Sequence, residues 1–243
     1  MTSNRMRRIA SGVLFAVFQG CTAILLLCGQ QPPDAATVVK GVDASVKARI
    51  DSLAGYTVNE HYAVFRGHDE FHPAAEMLVK TVYRKGTGKS YTILSQSGSS
   101  LLRKEVLGTL LDNEKRMSLP GNVETALIDS ANYEMRWNPN NRQQLDGRDC
   151  VVIALAPRRN SPFLFNGTLW VDSKDFSIVQ LQGTAAKSPF FLASAAHVVR
   201  QYANVGGFPM ATHAKAVSAS TLLGQTIVKI DYSDYQVDLR PGS

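Results

Sequence analysis

The chain has 243 residues, 44% of them hydrophobic and 19% charged, which fits one or two folded domains with apolar content for a packed core. With 18 glycines, 10 prolines and 3 cysteines it is neither a low-complexity chain nor a disulfide scaffold or cysteine-rich zinc module. The formal net charge is +6, but residues 1–31 hold three arginines and no acid, which leaves 23 basic against 20 acidic residues beyond them. That mild surplus argues against a nucleic-acid partner.

Arg5, Arg7 and Arg8 precede an almost uninterrupted apolar run from Ile9 to Cys28, and Gly29-Gln30-Gln31-Pro32-Pro33-Asp34 breaks it. A basic start, an apolar middle and a turn-forming stop make residues 1–31 an export signal or signal-anchor. The run approaches the roughly 20 apolar residues that span a bilayer, although Gln19 and Gly20 interrupt it. Cleavage leaves an exported, periplasmic protein; retention leaves a membrane-anchored one. Lipidation fits less well: Leu27 precedes Cys28 where a small residue is needed, and Gly20-Cys21 is followed by more apolar sequence. Beyond the signal Cys150 is the sole thiol, in the apolar run Cys150–Leu155, where it reads as a small buried hydrophobe.

Residues 32–41 read as a short linker and 42–240 as one domain. Val42, Val46, Ile50 and Leu53 recur at helical spacing, with Gly55 as the stop. Period-two runs follow. Val58, Glu60, Tyr62 and Val64 share one face of Tyr56–Arg66, and Met77, Val79, Thr81 and Tyr83 share one face of Glu76–Lys85. Gly86-Thr87-Gly88 turns the chain into a strand over Ser90–Ser95. Leu101, Leu102, Val106, Leu107, Leu110 and Leu111 predict a second helix over Ser100–Lys115, capped by Ser99 or Ser100, and Asn122–Ser130 is a candidate third. The second half is nearly all strand, with hairpin turns at Asp146-Gly147, Ser173–Phe176, Gly206-Gly207 and Leu223-Gly224. The fold class is α+β: about nine to eleven strands in one large curved antiparallel sheet, with two or three helices.

Several motifs fail on inspection. Gly88-Lys89-Ser90 resembles the end of a phosphate-binding loop, but Tyr83 stands where the first glycine belongs and Tyr91–Leu94 reads as strand. Ser97-Gly98-Ser99-Ser100 lacks the glycine spacing of a nucleophile elbow and suits helix capping. His68-Asp69-Glu70-Phe71-His72 lies between Gly67 and Pro73, so it reads as a solvated hairpin loop rather than a metal site. No nucleophile–base–orienter set is visible, no metal or cofactor is implied, and the reading is non-catalytic. Ser161–Phe165 and Ser188–Leu192 instead place bulky apolar groups beside prolines in connections, where they are buried, membrane-facing or ligand-facing. Cys150–Leu155 is apolar on both faces, as a deep core or a lipophilic cavity would have it.

The stretch Leu145-Asp146-Gly147-Arg148-Asp149-Cys150 through Pro157, then Gly167-Thr168-Leu169-Trp170-Val171-Asp172, Ser177–Leu181 and Gly206-Gly207-Phe208-Pro209-Met210, resembles the bacterial lipoprotein-sorting superfamily of LolA, LolB and RseB. The resemblance covers about Val42–Leu239. It implies an unclosed antiparallel barrel with helices as a lid over a hydrophobic cavity that binds acyl chains without chemistry. Inward candidates are Val151, Ile153, Leu155, Leu169, Val171, Val179 and Leu181, and composition adds Phe163, Phe165, Phe190 and Phe191 as a rim. The expected partner is a lipid or lipoprotein acyl chain. The alternative is an envelope sensor or assembly subunit that uses the same fold to bind a protein.

Overall fold

The computed structural model describes residues 34–187, 195–221 and 224–240. Helix α1 (Ala35–Ser52) opens at Asp34, whose carboxylate accepts from the Thr37 N–H at 2.6 Å. It therefore begins inside the segment expected to be a linker. Val38 is fully buried beside Val42, so the apolar stripe runs a turn further back than the predicted start. The helix also ends earlier than predicted, because Leu53 and Gly55 belong to strand β1 (Leu53–Arg66).

Strands β2 (Ala75–Arg84) and β3 (Gly88–Gly98) complete an N-terminal meander. A helical run follows: α2 (Ser100–Leu102), a π-helical Arg103–Gly108, then α3 (Thr109–Met117). Ser99 caps it, its hydroxyl accepting from the Leu102 N–H at 3.4 Å. The candidate third helix is reduced to a 3-10 turn at Glu124–Ala126. Seven strands end the chain: β4 (Tyr133–Leu145), β5 (Arg148–Pro157), β6 (Phe165–Asp172), β7 (Ile178–Ala185), β8 (His197–Val205), β9 (Phe208–Ser220) and β10 (Gly224–Leu239).

All ten strands form one antiparallel sheet, ordered β3-β2-β1-β10-β9-β8-β7-β6-β5-β4. Two meanders are joined where β1 pairs with β10, from Leu53 opposite Leu239 to Arg66 opposite Thr226. The edge strands β3 and β4 do not pair with each other, so the barrel is unclosed, as expected. Among the described residues the helices cover the inner face as two separate plugs. Val38 and Val42 of α1 pack on Tyr133, Val151, Ile153, Leu169 and Val171. Leu102, Leu107 and Leu111 pack on Tyr62, Val64, Met77, Val79 and Ile230. Each large side chain so buried contributes roughly 1.5–3 kcal/mol. On the outer face Ala63, Phe65 and Ile227 form a small satellite cluster, with the Lys229 ammonium 4.8 Å from the centre of the Phe65 ring.

Two contacts set α1 on the sheet. The Asp43 carboxylate accepts from the Ser130 N–H at 2.8 Å and from its hydroxyl at 2.6 Å. Gly41 faces Phe176, and a Cβ placed at Gly41 falls 2.3 Å from the ring. Phe176 sits at φ +56° in the turn between β6 and β7, so its backbone is already committed to an unfavourable region. Glycine inside a helix is normally worse than alanine by about 0.5–1 kcal/mol. Gly41→Ala is nevertheless expected to destabilise by about 1–3 kcal/mol through overpacking. Urea denaturation checks this, and a more stable variant would contradict the packing described.

Candidate functional site: a cavity between the two helical plugs

Between the plugs lies a partly open cavity of about 510 Å³. Val46, Arg49 and Ile50 of α1 form one wall, and Glu114 and Met117 of α3 another. The sheet supplies the floor through Tyr56 and Glu60 of β1, Arg200 and Tyr202 of β8, and Tyr232 and Tyr235 of β10. The segment from Ser118 to Ile128 makes a lip, held by buried Asn132, whose side-chain amide donates to the carbonyls of Glu124 and Leu127 at 2.8 and 2.9 Å. Near α1 the wall is apolar: Ile178 and Leu181 belong to the core under α1, Phe165 packs against that core, and Phe163 stands beside them. The Phe165 N–H donates to the Tyr133 hydroxyl at 3.1 Å, which fixes where β6 starts.

The wall toward α3 is charged. Glu60 is 1% exposed, and its partner on the strand face, Tyr62, donates its hydroxyl to it. Lys89 enters from β3 and donates to Glu114 at 2.5 Å, with Glu60 at 3.8 Å. Burial opposes the Lys89 charge, but Glu114, followed by Tyr56 and Glu60, outweighs it and holds the ammonium well above its usual pKa. Burial likewise opposes the Glu114 charge, yet Lys89 and Arg200 bring its carboxyl below the usual range. For Glu60 burial prevails and pushes the carboxyl up, beyond what Lys89 offsets. One oxygen of Glu60, one of Glu114 and the Nε of Arg200 are buried without a hydrogen-bond partner.

Of the sequence-derived candidates, Phe163, Phe165 and Leu181 stand on the cavity wall. Val151, Ile153, Leu155, Leu169 and Val171 lie off that wall, in the packed core under α1, and Val179 is fully buried elsewhere in β7. Phe190 and Phe191 lie outside the described residues, as do the basic and apolar N-terminal segment, Cys21 and Cys28. Lys89 of the Gly88-Lys89-Ser90 sequence is committed to Glu114 on a strand. The Ser97 hydroxyl donates to Glu76 at 3.4 Å, while His61 meets the other oxygen of Glu76 at 3.3 Å. The carboxylate thus lies between serine and imidazole, an order unlike nucleophile, base and orienter. In the loop before β2, Glu70 binds Lys215 at 2.7 Å and Lys229 at 3.0 Å, and Asp69 binds His72 at 3.0 Å. No group of metal ligands occurs among the described residues. Cys150 is buried, and burial pushes its thiol up.

The charged wall is what sequence reasoning missed. Its signals were carboxylates standing in apolar stripes: Glu60 between Val58 and Tyr62, and Glu114 one helical step beyond Leu107 and Leu111. Arg200, in the irregular run Val198–Tyr202, carried no such signal.

The protein is thus an unclosed antiparallel barrel with two helical plugs and an internal cavity, the architecture that the sequence resemblance implies. No family profile matches the sequence, and no curated protein matches it. Among solved structures it is similar to a LolA superfamily protein from Nitrosomonas europaea, at 15% identity over 86% of this chain and 96% of that one, with a TM-score of 0.45. An outer membrane lipoprotein-sorting protein domain from Vibrio parahaemolyticus shares 12% identity over 86% and 95% of the two chains, with a TM-score of 0.47. The MucA/MucB complex of Pseudomonas aeruginosa shares 10% identity over 86% and 100%, with a TM-score of 0.27. No helix among the described residues is long and apolar enough to cross a membrane.

The two carboxylates carry opposite pH signatures. Because the Glu60 pKa is raised on folding, stability falls as pH rises from the unfolded pKa through the folded one. Because that of Glu114 is lowered, its stabilisation is present above the unfolded pKa and lost as pH falls through the folded value. At neutral pH, Glu60→Gln is expected to leave stability unchanged or raise it. Lys89→Met, which strands Glu114, is expected to cost about 3–5 kcal/mol. Urea denaturation from acid to neutral pH reads both, and equal losses in the two variants would contradict the assignment.

Proposed function

We propose that the protein is an exported, non-catalytic carrier that holds an acyl chain of a lipid or lipoprotein in the cavity between α1 and α3. The observation that carries this reading is the cavity itself. It is partly open and about 510 Å³ in volume, within the range of roughly 300–1,000 Å³ typical of small-molecule sites. Its apolar side, with Leu181, Phe163 and Phe165, offers a chain a surface already shielded from water. Each methylene transferred there contributes roughly 0.8 kcal/mol, so a chain is held in proportion to the length it inserts and is released without bond chemistry. The sequence resemblance to the lipoprotein-sorting superfamily, and a basic, apolar N-terminus of export type, support the same reading.

The test is native mass spectrometry of protein recovered from the envelope, followed by lipid extraction. A bound acyl species at one per chain is expected, together with an N-terminal mass that identifies the cleaved or retained signal. Ala126→Trp, which fills the cavity from the lip, is expected to abolish the bound species while the far-UV spectrum and Tm hold. Protein that carries no lipid and rejects added lipid, or that co-purifies with a stoichiometric protein in its place, would overturn the carrier reading.

A further inference from the structure

The charged wall has an imbalance that an acyl chain alone does not resolve. Lys89 and Glu114 neutralise each other at 2.5 Å. Burial draws Glu60 toward its neutral acid and keeps the nearby phenols of Tyr62, Tyr91, Tyr232 and Tyr235 protonated. Arg200, on the floor from β8, remains a cation at any ordinary pH. Its Nε is buried without a hydrogen-bond partner, and among the described residues no carboxylate comes within 4.0 Å of it. Arg49, facing the same cavity from α1, repeats the pattern: its Nε is buried and unpartnered, and its described side-chain contact is a weak one to the Met210 sulfur at 3.9 Å. The carboxylate that acts on Arg200 is Glu114, which Lys89 already binds, and Tyr202 hydrogen-bonds the guanidinium; its unpartnered Nε–H leaves part of a donor fork whose geometry matches a carboxylate or phosphate.

We infer that the cavity's ligand is an acidic amphiphile, a single acyl or alkyl chain ending in a carboxylate or phosphate, and that its acid group enters the cavity to pair with Arg200, with Arg49 closing on it from α1. This rests on the acyl-chain reading and adds to it the chemistry of the head and the direction of entry. The chain then lies against Leu181, Ile178 and Phe165 on the apolar side.

The experiment is calorimetric titration of the full chain, purified from the envelope and stripped of lipid, with palmitate, hexadecyl phosphate and methyl palmitate. The acid probes, or either one, are expected to bind at least tenfold more tightly than the ester, and the stronger identifies the oxyacid read. Arg200→Gln is expected to erase that preference while leaving ester affinity unchanged, and Arg200→Lys to restore part of it. Inorganic phosphate is not expected to compete. Acid and ester binding equally, a preference that survives Arg200→Gln, or competition by inorganic phosphate would overturn the inference and leave the acyl reading standing. Failure of all three chain probes to bind would overturn both.

Discussion

Ten antiparallel strands present a wider inner face than two helices can cover, and among the described residues side chains do not fill the remainder. Helix α1 seats its valines on β4 to β7, and the α2–α3 run seats its leucines on β1, β2 and β10. What lies between is lined by tyrosines and by charged groups that include Arg49, Glu60, Lys89, Glu114 and Arg200. Tyrosine suits such a position because its ring is apolar and its hydroxyl still finds a partner. The charges do not, unless something offsets their desolvation.

That desolvation sets the energetics of the site. A buried ion pair such as Lys89–Glu114 is close to neutral against an apolar replacement, but removing one member is severe. The two hydrophobic clusters therefore hold the fold, and the charged wall is tolerated rather than stabilising. The apolar wall and the charged wall face one space, so an occupant with one greasy and one acidic end matches both. Such an occupant also stabilises the native state by mass action, to the extent that it does not bind the unfolded chain.

The fold was legible because its signals are periodic. Val58, Glu60, Tyr62 and Val64 alternate, and all are buried on one face; the leucines from Leu102 to Leu111 recur at helical spacing and pack as one stripe. The start of α1 was not legible, because the prolines at 32–33 masked a stripe that resumes at Val38. The site was harder. Cys150–Leu155 is apolar on both faces whether it lines a cavity or a solid core, and only the position of α1 assigns Val151 and Ile153 to the core. The charged groups converge from β1, β3, β8 and the α3 helix, and no local pattern announces a meeting between residues that far apart in sequence.

Crystallography of the protein with a palmitate brominated at its methyl end tests the central claim most directly. One anomalous bromine peak is expected inside the cavity, against Leu181 and Phe165, with the carboxylate at Arg200. Bromine density confined to the outer face or the β3 edge, or a cavity that remains empty at saturating ligand, would contradict it.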